Sequence, residues 1–225
     1  MADHLLIPGA DGRSWYWHRL VPELERRGHR AVAVELPFAA ESTLDDYAAA
    51  AVTQALAAGA DGGWVVVAQS LGAFTAPLLC SRIAVDQLVL LNPMVPGPGE
   101  TAGDWWDNTG QDEARQEAAR QDHRPADFDV VRDFFHDVPP EITERAFADA
   151  EVAALDSVFG QPWPLAAWPE ITTRVIQATD DRFFPLEFQR RVVRERLGIE
   201  QLELIPGGHL SALSRPAEVA AALAR

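Results

Sequence analysis

The chain has 225 residues and a formal net charge of −15, from 34 Asp and Glu against 19 basic residues, all of them arginine. The acidic balance makes nucleic acid and anionic membrane surfaces poor partners, and the absence of lysine removes Schiff-base, phosphate-loop and lysine-base chemistry. A lone cysteine, Cys80, leaves neither an intramolecular disulfide nor a cysteine zinc site, and within AFTAPLLC it reads as a small core residue.

The first apolar run, HLLIPG (4–9), reads as a strand ending in a turn. SWYWHRLVPELERRG (14–28) follows as a helix, with Trp17, Leu20, Val21 and Leu24 at helical spacing and Gly28 as its stop. HRAVAVELP (29–37) is a strand closed by proline. Thr43 can cap the next helix, whose apolar face carries Leu44, Tyr47, Ala51, Val52 and Leu56. WVVVAQ (64–69) is a third strand, 71–82 a third helix, and DQLVLLNP (86–93) a fourth strand. This rhythm predicts a mostly parallel sheet covered on both faces.

The rhythm stops at Pro93. Residues 94–170 hold no clear strand but eight of the sixteen prolines and four of the seven tryptophans, Trp105, Trp106, Trp163 and Trp168. Helical patches fall at 110–121, 126–136 and 140–158. The alternation then resumes: strand TTRVIQAT (172–179), helix 186–198, strand EQLELIPG (200–207) and a last helix at 210–224. The expectation is one α/β domain of about six strands, built from 1–93 and 171–225, with 94–170 inserted as a helical cap. An insertion there would cover the strand ends where open α/β sheets bind ligands.

Ser70 stands where the third strand meets the third helix, in Ala68-Gln69-Ser70-Leu71-Gly72. This matches the G-x-S-x-G nucleophile elbow at four of five positions, with Ala68 for the first glycine. A sharp strand-to-helix turn would expose the hydroxyl and crowd residues 68 and 72 together, so both must be small. The helix beginning at Leu71 would aim its free N–H groups at the serine. A serine hydroxyl needs a base oriented by an acid, and with this elbow the chain order is serine, acid, histidine. The strand at 172–179 runs into Asp180-Asp181, and the strand at 200–207 into Gly208-His209. His209 is the candidate base; Asp181 is favoured over Asp180 as the acid. The remaining histidines, His4, His18, His29 and His123, read as non-catalytic, while His136 in FFHDVPP is a candidate pocket residue. Backbone N–H groups of Leu71 and Ala10 are the candidate oxyanion donors. Asp11, whose charge would oppose an oxyanion, is expected to turn toward solvent.

With these residues in place the chain resembles the α/β-hydrolase superfamily. Within it, the resemblance is to small actinobacterial α/β-hydrolase-fold proteins and to the plant methylesterase and hydroxynitrile-lyase group. LLIPGADGRSWYWHRLVPELERRGHRAVAVELP, VVVAQSLGAF, DDRFFP and PGGHLSALSRP carry the likeness in the sheet, FFHDVPPE and QPWPLAAWP in the insertion. Three positions depart from the pattern: Pro8 stands for the common histidine before Gly9, Ala68 for the elbow glycine, and Leu210 where the lyases carry lysine after the catalytic histidine. The last disfavours cyanohydrin cleavage of that type.

The resemblance implies a serine esterase that works through an acyl-enzyme, with no cofactor and no metal. A lyase or biosynthetic cyclase on the same scaffold, or a non-catalytic ligand-binding receptor, is the alternative. From Glu100 to Asp156 there are sixteen acidic side chains against five arginines, which suits a neutral or cationic ester. Trp105, Trp106, His136 and Trp163 are the candidate pocket residues. The N-terminus MADHLLIPG lacks a basic stretch before a long apolar run, and no run reaches about 18 apolar residues, so a cytoplasmic monomer or homodimer is expected.

Overall fold

Alternate residues of each apolar run face opposite sides of a strand, and the structure uses that alternation to build two cores on one sheet. In the computed structural model, which describes residues 2–37, 39–60, 62–148 and 156–225, six strands lie side by side. They are β1 (Asp3–Ile7), β2 (Arg30–Ala33), β3 (Trp64–Gln69), β4 (Val85–Leu91), β5 (Thr173–Ala178) and β6 (Glu203–Ile205). All pairings are parallel, in the order β2-β1-β3-β4-β5-β6. Leu5, Ile7, Val66, Ala68, Leu88, Leu90 and Val175 bury into one core, and Leu6, Val67, Val89, Leu91, Ile176 and Ala178 into the other. Chain order reverses between β1 and β3, so the crevice at their C-terminal ends is the switch point where such sheets bind ligands.

Helices α1 (Leu20–Arg26) and α2 (Leu44–Ala58) follow the first two strands, and α3 (Gly72–Thr75) follows β3. Three predicted helices are shorter or divided, each beside a proline. The first becomes a 3-10 turn at Ser14–Trp17 followed by α1, with Pro22 in its first turn, where the missing N–H costs nothing. The third continues as a 3-10 segment, Ala76–Ser81, from Pro77. Thr43 caps α2 as expected, in a reciprocal capping box with Asp46. The buried face of α2 is Leu44, Tyr47, Ala48, Ala51 and Ala55, while Leu56 lies about a third of a turn away and is exposed.

Between β4 and β5 stand α4 (Trp105–Thr109), α5 (Gln111–Gln121), α6 (Val130–Phe134), α7 (Pro140–Ala148) and α8 (Asp156–Gly160). The part of the predicted 140–158 helix at 149–155 lies outside the described residues. The chain closes with α9 (Leu186–Leu197), α10 (Ser211–Ser214) and α11 (Pro216–Leu223), the last two divided at Pro216. The start of the inserted segment is fastened to α9 by Glu100, a buried carboxylate. It accepts from Asn108 Nδ2 at 2.8 Å, Gly97 N at 2.9 Å and Arg196 Nη2 at 2.8 Å. Burial alone would raise its pKa; the Arg196, Asn108 and Gly97 hydrogen bonds outweigh it and hold the carboxyl below its usual range. Among the described residues no helix is long and apolar enough to cross a membrane.

At the opposite end of β1 from the crevice, His4 is fully buried and neither ring nitrogen has a hydrogen-bond partner. Desolvation, then His29 nearby, push its pKa down to about 4. The unfolded imidazole takes up its proton near pH 6.5, before the folded one does, so stability falls as pH drops from 6.5 toward 4 and levels off below. Between pH 7 and 4.5 this one group should cost roughly 2–3 kcal/mol. Urea unfolding at both pH values should show His4→Leu losing less stability on acidification than the parent by about that amount; equal losses would refute it.

Candidate active site

Ser70 closes β3 with φ of 49°, a left-handed backbone rare outside glycine. The strain is held from three sides: Ser70 N donates to Leu91 O at 3.1 Å, and Ser70 O accepts from Ala73 N at 3.1 Å and Met94 N at 3.0 Å. The small residue at the end of the elbow is set chiefly by the first strand. A Cβ on Gly72 would stand 2.6 Å from Pro8 O and 3.0 Å from Ile7 O, so the helix start presses on the end of β1, and that backbone is its tightest neighbour. A Cβ on Gly9 would fall 2.2 Å from Gln69 Oε1, but that is the movable end of a side chain, so Gly9 is less constrained.

The loops after β5 and β6 bring the other two side chains to Ser70. His209 Nε2 lies 3.1 Å from Ser70 Oγ, and His209 Nδ1 lies 2.8 Å from Asp181 Oδ2. All three residues are buried. Asp181 folds back on its own turn: its N donates to Ala178 O at 3.4 Å, and Oδ1 accepts from Phe183 N at 2.9 Å and Phe184 N at 2.8 Å. The other oxygen is left for the imidazole and, at 3.5 Å, for Gln177 Nε2. The adjacent Asp180 points elsewhere, accepting from Gly207 N at 3.1 Å. Ala10 and Leu71 both line the cavity that Ser70 and His209 open onto.

That cavity has a volume of about 360 Å³. Of the four expected pocket residues, Trp106 lines this cavity, while Trp105, Trp163 and His136 do not. Trp105 is fully buried away from the cavity, donating from Nε1 to Val95 O at 2.8 Å and packing on Phe184 and Phe188. Trp163 donates to Phe74 O at 3.0 Å and stacks on Trp168. In both, the indole N–H needs a buried acceptor and finds it in the core. His136 lies outside the cavity, with Nε2 3.0 Å from Asp180 O. The walls include Met94, Trp106, Phe134 and Phe159 from the inserted segment, and Trp15, Phe183 and Leu213 from the rest of the chain. Phe134, Phe183 and Phe184 also surround the imidazole, with ring centroids 5.0, 5.3 and 4.9 Å from that of His209.

Asp11 is exposed, as expected, and also reaches the cavity. The turn closed by Gly12 N on Gly9 O at 3.0 Å sets it at the cavity rim, where it is exposed yet ringed by protein. Desolvation, helped by Glu35 and opposed by Arg13, pushes its carboxyl up to about 6. Two polar residues escaped the sequence reading. Asn92, at the end of β4 with φ of 46°, accepts from Ala178 N at 2.8 Å and donates to His209 O at 2.9 Å. Gln69 Nε2 donates to the same oxygen at 3.4 Å. The signal for Asn92 was available, since an Asn-Pro ending an apolar strand must turn sharply.

A parallel sheet with a strained serine at its switch point and an imidazole–carboxylate pair from later loops defines a class of proteins. A model of the alpha/beta hydrolase family matches residues 5–222, so the chain belongs to that family. Solved structures of similar fold include polyneuridine aldehyde esterase, 19% identical over 100% of this chain and 98% of that one, TM-score 0.77. Another is an extracellular alpha/beta-hydrolase from a Paenibacillus species, described as sharing structural and functional homology with tobacco salicylic acid binding protein 2. It is 15% identical over 99% of this chain and 98% of that one, TM-score 0.79. A pyrethroid hydrolase from Sphingobium faniae is 22% identical over 99% and 96%, TM-score 0.72. At these identities the likeness is one of fold. Curated protein sequences give no match.

Because a methyl on Gly72 has backbone carbonyls on its path, Gly72→Ala should destabilise the chain by about 1–3 kcal/mol. Urea unfolding measures this; a loss near zero would mean that the elbow and β1 separate without cost.

Proposed function

We propose that the chain is a serine hydrolase of small carboxylic esters. The observation that carries this is the unbroken contact from Asp181 through His209 to Ser70. In this reading His209 Nε2 takes the Ser70 Oγ proton as Oγ attacks the ester carbonyl carbon. Asp181 fixes the tautomer with Nδ1 protonated and stabilises the imidazolium. The carbonyl oxygen, now an anion, is held by the N–H groups of Leu71 and Ala10. Collapse expels the alcohol, which leaves with the proton from His209 Nε2. Water then attacks the acyl-Ser70, gives its proton to His209, and the acid departs with Ser70 Oγ reprotonated. The aromatic collar keeps bulk water from the imidazole and strengthens these interactions.

Residues 94–170 act as the cap in this reading, since they supply Met94, Trp106, Phe134 and Phe159 to the cavity wall. A largely apolar cavity of about 360 Å³ suits a compact acyl or alcohol group with an aromatic or aliphatic body. Asp11 at its rim favours a neutral or cationic ester over an anionic one.

A fluorophosphonate probe should label Ser70 and lose that labelling in Ser70→Ala and His209→Ala, with ester turnover falling about 10³-fold or more. Labelling without turnover across a panel of p-nitrophenyl and methyl esters would transfer the assignment to a lyase, a cyclase or a receptor. The Asp11 carboxyl, with its pKa near 6, should be neutral below that pH and negative above it. The ratio of kcat/KM for a cationic ester over its neutral isostere should therefore climb as pH passes through 6, by roughly fivefold. Asp11→Asn should flatten the climb; an unchanged slope in that variant would remove Asp11 from substrate selection.

A further inference from the structure

The loop Gly207-Gly208-His209 follows β6, an edge strand of three residues. So short an element cannot by itself hold an imidazole to a fraction of an ångström. Two of the loop's tethers come from the ends of sheet strands: Asp180 Oδ2 accepts from Gly207 N, and Asn92 Nδ2 donates to His209 O. A third comes from the inserted segment. Asp137 Oδ2 accepts from Gly208 N at 2.9 Å, one residue before the candidate base. Its neighbour His136 donates from Nε2 to Asp180 O at 3.0 Å, one residue before the candidate acid.

This contact is built rather than incidental. A Cβ on Gly208 would stand 2.6 Å from His136 Nε2 and 2.8 Å from Asp137 Oδ1, so with these two side chains in place residue 208 must be glycine, and a methyl would push them aside. On the other side, Val138 is buried in the second core and donates from N to Phe135 O at 3.0 Å, which fixes the backbone of the pair. Asp137 also keeps its second oxygen buried with no hydrogen-bond partner. A fold that tolerates such a cost at one carboxylate oxygen is retaining the bond made by the other.

We propose that Asp137, with His136, is a positioning residue for His209: the pair latches the cap to the loops that carry the base and the acid. The inference rests on the serine-hydrolase reading. A charge-assisted hydrogen bond holds the Gly208 N–H, and through it the orientation of the next side chain. Neither residue touches substrate, since neither lines the cavity beside Ser70. Removing the latch should therefore slow the chemical step and leave binding alone.

The test is kinetic, on the full chain with a p-nitrophenyl ester and a fluorophosphonate, counting competent sites by active-site titration. Asp137→Ala should lower kcat by about tenfold and slow labelling of Ser70 in parallel, with KM within about twofold. Asp137→Asn, whose side-chain oxygen can still accept from Gly208 N–H, should recover most of the rate. Gly208→Ala, which drives the pair off without deleting a side chain, should reproduce the loss if Asp137→Ala does not fold. Combined with Asp137→Ala it should add little further loss. Unchanged kcat and labelling in Asp137→Ala or Gly208→Ala, or equal defects in the Ala and Asn variants, would overturn the latch while leaving the triad standing. No labelling of Ser70 in the parent chain is a separate outcome that would sink the hydrolase reading and the latch with it.

Discussion

Gly72 has room for a hydrogen and for nothing larger, because the carbonyl oxygens that end β1 press against it. The rest of the crevice depends on that approach. It brings the loop Gly9–Gly12 beside the elbow, and it sets the switch point between β1 and β3 as a narrow cleft. Ser70 can then sit in a left-handed backbone that an unsupported serine would abandon, since neighbours on β4 and in the loop beyond it satisfy its N–H and its carbonyl. Packing thus precedes chemistry in this chain: close backbone contact supplies the rigidity, and the hydroxyl is displayed as a result.

Much of this was legible from residue order. The six strands, the break after β4 and the convergence of Ser70, Asp181 and His209 follow from apolar runs, turn residues and one motif. Those features are local, or depend only on parallel strands ending at the same edge. The cavity wall was less legible. Trp105 and Trp163 look like pocket residues because tryptophan-rich insertions offer large surfaces, yet each indole N–H demanded a buried carbonyl and pulled its ring into the core. Phe134, Phe159 and Phe183 carry no polar atom, so nothing in their spelling separated lining from packing.

Exposed and buried carboxylates meet different electrostatic demands. A net charge of −15 is spread over exposed carboxylates, where water and salt screen it. Two buried carboxylates are individually provided for: Glu100 by Arg196, Asn108 and a backbone N–H, Asp181 by His209 and two backbone N–H groups. Glu100 draws on a full cation and so behaves as a structural anchor, while Asp181 draws chiefly on dipoles and an imidazole that can change charge. The contrast separates a fastening from the candidate acid by what surrounds each one.

The shortness of β6 has a consequence for how the molecule fails. Three edge residues can detach from β5 with Ile205 alone leaving the second core, and such partial openings lie far below the free energy of global unfolding. An excursion of that kind would carry the imidazole away from the hydroxyl and return it intact. Warmed gently, the protein should lose its competence reversibly, at a temperature where its helices and its compactness still look untouched.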